Sequence, residues 1–570
     1  MPYRAPLSDF RFLYQHVVGL DQVSATPQFA DATPDLVEAI LTEAGRLCEQ
    51  TLAPLNRAGD KHPARLENGV VRTSPGYADG YRAIADGGWV GMNANPEYGG
   101  MGLPMAVASA VNEMMASACL ALQLNPMLTH GQIEALEHHA SDAIKAVYLP
   151  KLISGEWTGT MNLTEPQAGT DVGALRTRAE ALGDGTYAIT GQKIYITWGD
   201  SDFSANICHL VLARISGAPD GTRGISLFMV PKFIPDADGQ LGARNSLSVV
   251  SLEHKLGLHG SPTAVMQYAA AKAWLVGAEG SGMAAMFTMM NNARLGVGVQ
   301  GVAIAEAAYQ QALSYALDRR QGKTPLSPKG PISDHADVRR MLALMKADIF
   351  SARAIALSCA VAIDMARATG SADWAARAAL LTPIAKAFGT DVGNDAAQMG
   401  IQVHGGMGFI EETGAAQFAR DVRVTSIYEG TNGIQAMDLV GRKMMDGGEA
   451  ALRLIYDVQK GAVLARATLN GLADDVWNAA EALREATESM AGLAMNDRFA
   501  GAVPYLRAFA RVLGGHFHLK AAMAEDVSGP RRALADVAIK RLLPEHTALL
   551  AQARLGAADL YALSDADLSA

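Results

Sequence analysis

The segment "YAITGQKIYIT", Tyr187–Thr197, decides the architecture. Its apolar residues fall in the alternation of a half-buried strand, with no three-to-four-residue period. Further along, "ICHLVLARI", "GISLFMVPKF" and "AVMQYAAAKAWLVG" continue as short apolar or alternating runs between Gly, Asp and Pro turns. The spacing therefore predicts a β domain over residues 158–280. Working outward, the helical period governs both flanks. Before the β domain it runs through "DLVEAILTEAGRLCEQTL" and "DAIKAVYLPKLI", with the loop "NPEYGGMGLP" between helices. After it come "MAAMFTMMNNARLGVGVQGVAIAEAAYQQALSYALDRRQ" and "VRRMLALMKADIFSARAIALSCAVAIDMA". Beyond Gly447 a last helical stretch lacks glycine-rich motifs. The expected plan is mainly α with an inserted β domain: 1–157 helical, 158–280 β, 281–446 helical and 447–570 an appended helical domain.

At 570 residues the chain exceeds what one hydrophobic core supports, and roughly three or four domains are expected. Hydrophobic residues at 49% and charged residues at 19% mark a globular chain. A formal charge of −10 without a dense Lys/Arg block argues against a nucleic-acid partner and leaves local positive pockets for an anionic ligand. Cys48, Cys119, Cys208 and Cys359 are far apart with no CxxC, as expected of reduced thiols in a cytoplasmic protein. The opening "MPYRAPLSDFRFLYQHVVGL" has neither the export nor the transit pattern, and no uninterrupted apolar run reaches 18 residues. A soluble protein without an integral membrane segment is expected.

"LGVGVQG" satisfies GxGxxG at Gly296, Gly298 and Gly301, but a dinucleotide fingerprint needs a preceding strand and the surroundings here are helical. Small residues for close helix packing explain it better. GxxxxGK[ST] is absent. His138/His139 and His516/His518 lack the spacing that shares a metal on one helix face, so solvent-facing or capping roles and no metal are expected.

Four separated segments resist such readings: "LTEPQAGTD" (Leu163–Asp171), "GQKIYITWG" (Gly191–Gly199), "QVHGGMGF" (Gln402–Phe409) and "IYEGTNGIQ" (Ile427–Gln435). The first two bracket a strand hairpin and supply hydroxyl and backbone donors of the kind a planar heterocycle requires. The third places glycines after a long helix, where a backbone approaches something closely. The fourth carries Glu429, either an ordinary helix-start residue or a carboxylate kept basic, since no Lys or Arg follows closely and only Arg423 precedes it.

Together and in this order the four segments closely resemble the acyl-CoA dehydrogenase family, flavoenzymes of helical/β/helical architecture, over residues 34–445. Length, the opening "MPYRAPLSDFRFLYQHV" and the appended helices are most similar to the branch acting on 3-methylmercaptopropionyl-CoA. The resemblance implies FAD as cofactor. Thr164 and Thr197 would hydrogen-bond the flavin ring, Tyr195 would lie against its dimethylbenzene side, and Met161 and Leu163 would line the pocket. Arg319 would hold the diphosphate through a bidentate fork. Gln402, Gly405 and Gly406 would grip the adenosine half, in their own subunit or from the neighbouring one, and Thr431 and Gly433 also fall at cofactor positions. The family often continues past that arginine with Thr/Phe, where this chain has Gln321 and Gly322.

For the acyl-CoA, the resemblance places Thr170, Asn291, Arg294, Tyr428 and Gly430 at the substrate, with Arg294 on the CoA portion. Some family members take the base from the residue before that arginine, but here it is Ala293. Glu429 is thus the expected base, made stronger by burial against an apolar chain and flavin. The implied reaction is α,β-dehydrogenation to a trans-2-enoyl-CoA, here methylthioacryloyl-CoA in dimethylsulfoniopropionate breakdown. Electron transfer flavoprotein is the implied acceptor and a homodimer the implied assembly. A fatty acyl-CoA dehydrogenase, an acyl-CoA oxidase and a non-catalytic acyl-CoA-binding flavoprotein are the competing readings.

Overall fold

The computed structural model describes residues 3–525 and 528–570. The chain divides into two compact units, Met1–Thr42 with Pro104–Glu113 and Arg294–Ala570, and Glu43–Leu103 with Met114–Ala293.

The second unit holds the β domain. Its strands are β1 (Trp157–Asn162), β2 (Arg178–Ala181), β3 (Tyr187–Thr197), β4 (Asn206–Ile215), β5 (Ile225–Pro231), β6 (Leu247–Leu252) and β7 (Thr263–Val276). The order is β6-β7-β3-β2-β4-β1, and β5 pairs with both β7 and β4, so that five strands close on themselves. Closure removes the edges of these five strands, while β6 and β1 stay paired on one side only. Inside pack Ile189, Val211, Phe228, Met266 and Tyr268, all buried. The first motif segment precedes the β2–β3 hairpin, whereas the second does not flank it as expected but forms the end of β3 and the turn after it.

Two helices are long and apolar enough to cross a membrane, α1 (Met105–His139) and α3 (Ala336–Thr369), and 89% of the most apolar window of each is buried in the protein. In the first unit α3 packs on α4 (Ala372–His404), and α6 (Glu449–Ala491) packs on α7 (Ala502–Met523), which also meets α3. The appended helices thus share a unit with the helices that carry the third and fourth motif segments.

The GxGxxG glycines lie within one helix, α2 (Gly282–Asp318). A Cβ on Gly298 would stand 2.5 Å from the Ala385 carbonyl oxygen, one on Gly301 would crowd the Gly389 oxygen, and one on Gly393 would stand 2.6 Å from the Gly301 oxygen. These glycines let α2 and α4 approach backbone to backbone, which is the packing role expected of them. The histidines need a correction. His518 is 1% exposed and its ring nitrogen bonds the Ala347 carbonyl at 3.0 Å, while burial holds His516 down at about 3. His518 is shut off from solvent and His516 is half-buried, because α7 is enclosed by α3 and α6. All four cysteines are buried, and none is in a disulfide among the described residues.

Candidate active site

The first unit builds the Glu429 turn. A short 3-10 turn, Arg423–Ser426, leads into it and α5 (Asn432–Asp438) leaves it. Glu429 has φ +55° and Gly430 φ +86°, two consecutive left-handed residues. Glycine takes that conformation freely, whereas glutamate does so at a cost of about 1–3 kcal/mol. Three contacts hold the turn. The Thr431 hydroxyl caps α5 by accepting the Ile434 N–H at 3.3 Å. The buried Gln435 donates Nε2 to the Glu429 oxygen at 3.1 Å and the Gly430 oxygen at 3.4 Å. The Tyr428 hydroxyl donates to Gln300 Oε1 on α2.

Burial pushes the Glu429 carboxyl up to about 7, against the pull of Arg294 and Lys386. The cations acting on it therefore come from α2 and α4, whereas the one cation the local sequence offers, Arg423, is exposed and donates to Ser426. Desolvation outweighs both charges, so the carboxylate stays basic for a different reason than local sequence implies. Arg294 is 6% exposed, with Nη1 3.5 Å from Asp438 Oδ2, which excludes a helix-surface charge.

At the other end of α2, the Tyr315 ring stacks on His404 with centroids 4.5 Å apart, and Gln311 Nε2 donates to the Thr413 oxygen at 2.6 Å. These contacts bring the end of α2, with exposed Arg319, to the glycine turn after α4, where Gln402, Gly405 and Gly406 are also exposed. No heavy atom lies within 4 Å of a Cβ built on either glycine. Gly433 lies half-buried in the first turn of α5 and Thr431 is exposed beside it.

The second unit places Met161, Leu163 and Thr164, at the end of β1, beside Tyr195 and Thr197 on β3: Ile194 N–H donates to the Thr164 oxygen at 3.0 Å. Tyr195 has φ +60° and is 61% exposed. Among the described residues the hydroxyls of Thr164 and Thr197 take no protein hydrogen bond and are half-buried. Two available hydroxyls flanking an outward-facing aromatic ring fit the edge of a flat, polar-rimmed heterocycle. Thr170 is exposed in the loop after β1, and the Asn291 side chain lies outside the described ones.

Sequence reasoning missed the pin beneath this cluster. Lys193 Nζ donates to the Leu163 oxygen at 2.8 Å and to Glu165 Oε1 at 2.9 Å, with both side chains buried. Glu165 also accepts from Arg176 N at 2.7 Å, Thr177 N at 3.0 Å, Thr177 Oγ1 at 2.6 Å and Gln167 Nε2 at 2.7 Å. Five donors, the Lys193 charge foremost, hold its carboxyl at about 2 despite burial. The signal was a lysine inside a strand whose neighbours alternate toward a core.

Family models for the N-terminal, middle and C-terminal domains of acyl-CoA dehydrogenase match residues 35–156, 160–271 and 280–445. A fourth, described as acetyl-CoA dehydrogenase C-terminal like, matches 454–564. The chain belongs to the acyl-CoA dehydrogenase family. It is accordingly an FAD-dependent oxidoreductase. A 3-methylmercaptopropionyl-CoA dehydrogenase of Ruegeria pomeroyi is 47% identical, over 89% of this chain and 88% of that protein. Among solved structures, Caenorhabditis elegans ACDH-11 in complex with C11-CoA superposes with a TM-score of 0.79 at 20% identity, covering 95% of this chain and 91% of that one. An acyl-CoA dehydrogenase of Bacillus anthracis complexed with FAD does so at 0.76 and 22%, covering 99% and 93%. Both show the shared fold.

Proposed function

We propose that this dehydrogenase converts 3-methylmercaptopropionyl-CoA to methylthioacryloyl-CoA, with Glu429 as the base that removes the α proton. The observation that carries the base assignment is Glu429 itself, a carboxyl raised to about 7 on a left-handed turn. An ordinary carboxylate is too weak a base for a thioester α carbon, and burial narrows that gap. Gln435 fixes the direction in which the carboxylate leaves the chain by holding the carbonyls of Glu429 and Gly430. Bound FAD supplies the acceptor for the β hydrogen as hydride. Thr164 and Thr197 would orient its ring, and Arg319 with Gln402, Gly405 and Gly406 its diphosphate and adenosine.

The acyl assignment is supported by the Ruegeria relative's identity across nearly the whole chain and by chemistry: a sulfur on Cβ stabilises positive character as the hydride leaves. Electron transfer flavoprotein is proposed as the acceptor and a homodimer as the assembly. The exposed Phe409, Met407 and Ile410 beside Arg319 support a partner subunit there. Four cysteines outside any disulfide support a cytoplasmic setting.

Glu429→Gln keeps the side chain's shape and removes the base. Mixed anaerobically with acyl-CoA, wild type should bleach its oxidised-flavin band, while the variant should bind, shift its spectrum and reduce about 10²–10⁴-fold more slowly. Rapid bleaching by the variant overturns the base assignment. A panel of methylthio, straight-chain and branched acyl-CoAs tests the substrate, and the proposal fails if butyryl-CoA is turned over with the higher kcat/KM.

A further inference from the structure

We propose that Lys386 is a positioning residue for the base: its ammonium fixes Asn432 at the start of α5, and its charge favours the ionised form of Glu429. This rests on the reading of Glu429 as the base. Lys386 lies in the middle of α4 and is fully buried. A buried ammonium is costly unless its charge is matched. Among the described residues its Nζ makes one hydrogen bond, to Asn432 Oδ1 at 2.9 Å, and that partner is neutral. The compensating charge must come from further away, and two carboxyls provide it, Glu429 and Asp391.

Asn432 joins these groups. Besides accepting from Lys386, it donates Nδ2 to Asp391 Oδ1 at 2.7 Å and to Thr390 Oγ1 at 3.0 Å. Its backbone begins α5 two residues after Gly430, so a fixed Asn432 side chain ties the Glu429 turn to α4. The charges facing Glu429 are Arg294 from α2 and Lys386 from α4, with the Tyr428 hydroxyl on its own segment. Those facing Lys386 are Glu429, Asp391 and, in opposition, Arg294. Arg294 is already shared, since Asp438 attracts it more than Glu429 does and Arg442 repels it. Asp391 is divided between Lys386 and Arg507, with Asp395 opposing. Of the two carboxyls that offset the Lys386 charge, the base thus acts the more strongly.

A purely structural role and an electrostatic one separate by substitution. Lys386→Gln can still donate to Asn432 but carries no charge, Lys386→Met loses both, and Lys386→Arg keeps the charge. The readout is the rate of anaerobic flavin bleaching by acyl-CoA against pH, with FAD content as the check on folding. Loss of a neighbouring cation raises a carboxyl's proton affinity by about one unit or more. Both neutral variants should therefore move the midpoint of the acid limb upward by about one unit, so that at pH 6 they bleach about tenfold more slowly than wild type while nearing its rate at high pH. Lys386→Arg should keep the wild-type midpoint. A wild-type midpoint in either flavin-loaded neutral variant overturns the proposal. Fast bleaching in Glu429→Gln would instead remove the base assignment, and it is measured separately.

Discussion

Substituting Lys193 by Met tests whether the buried pair beneath Thr164 holds the proposed flavin cluster in place. The change preserves side-chain length and leaves Glu165 buried with four of its five donors. Removing one member of a buried pair costs about 3–5 kcal/mol, and the four remaining donors put this case near the lower end. The lost bonds are those from Nζ to Glu165 and to the Leu163 oxygen, both of which tie the segment after β1 to β3. If flavin binding must restore that segment, about 3 kcal/mol corresponds to a roughly hundredfold weaker Kd for FAD. The assay is flavin retained after gel filtration, with Kd from titration of the apoprotein. The pH dependence fixes the sign. Glu165 has a folded-state value of about 2, below its ordinary 4.5, so its contribution is fully present above about pH 4.5 and is lost as pH falls toward 2. The gap between wild type and variant should accordingly close in acid. A Lys193→Met protein with wild-type flavin content and a Kd within twofold would show that something other than this pair positions Thr164.

In the wild type, substrate-driven flavin bleaching should follow the ionised fraction of Glu429, half-maximal near pH 7 and falling about tenfold per unit below it; a flat profile between pH 5 and 8 in stopped flow would refute this. Gly301→Ala puts a methyl against the Gly389 carbonyl and should destabilise by about 1–3 kcal/mol, read as a lower thermal midpoint, whereas Gly471→Ala, with open space around it, should not. Light scattering should give twice the chain mass, and a stable tetramer would count against the proposed dimer.

The periods in the sequence carried the architecture because a strand alternates by twos and a helix by threes and fours, and both survive burial. They located β3 at Tyr187–Thr197 and exposed the GxGxxG in α2 as packing. The glutamate's surroundings were not legible in the same way. Its electrostatics are set by Arg294 and Lys386, brought to it by α2 and α4 from distant parts of the chain, so local sequence correctly showed an unneutralised carboxylate but for the wrong neighbours. His516 and His518 were misread because histidine's composition says little about exposure, and α7 is enclosed by α3, distant in sequence, and by α6, which no motif marks. Lys193 and Glu165 each lay inside a segment singled out from the sequence, yet nothing local says that a lysine in one strand meets a carboxylate after another.

Among the described residues six non-glycine positions have positive φ, and three of them, Tyr195, Trp198 and Glu429, fall inside the motif segments. Each could be relieved by glycine at a gain of about 1–3 kcal/mol, so the side chain must be worth more than the strain. For Trp198 the return is packing: it is fully buried and donates its indole N–H to the Ala121 oxygen at 3.1 Å. Tyr195 has no such return, since most of its surface faces outward. Glu429 has less still, as burial makes its charge costly. Two residues held in strained backbone without a stabilising contact of their own are residues kept for what they meet from outside the fold. One is an aromatic face at the proposed flavin cluster and the other a carboxylate poised near neutrality. Removal of an α proton requires a base of that kind, and packing explains neither residue.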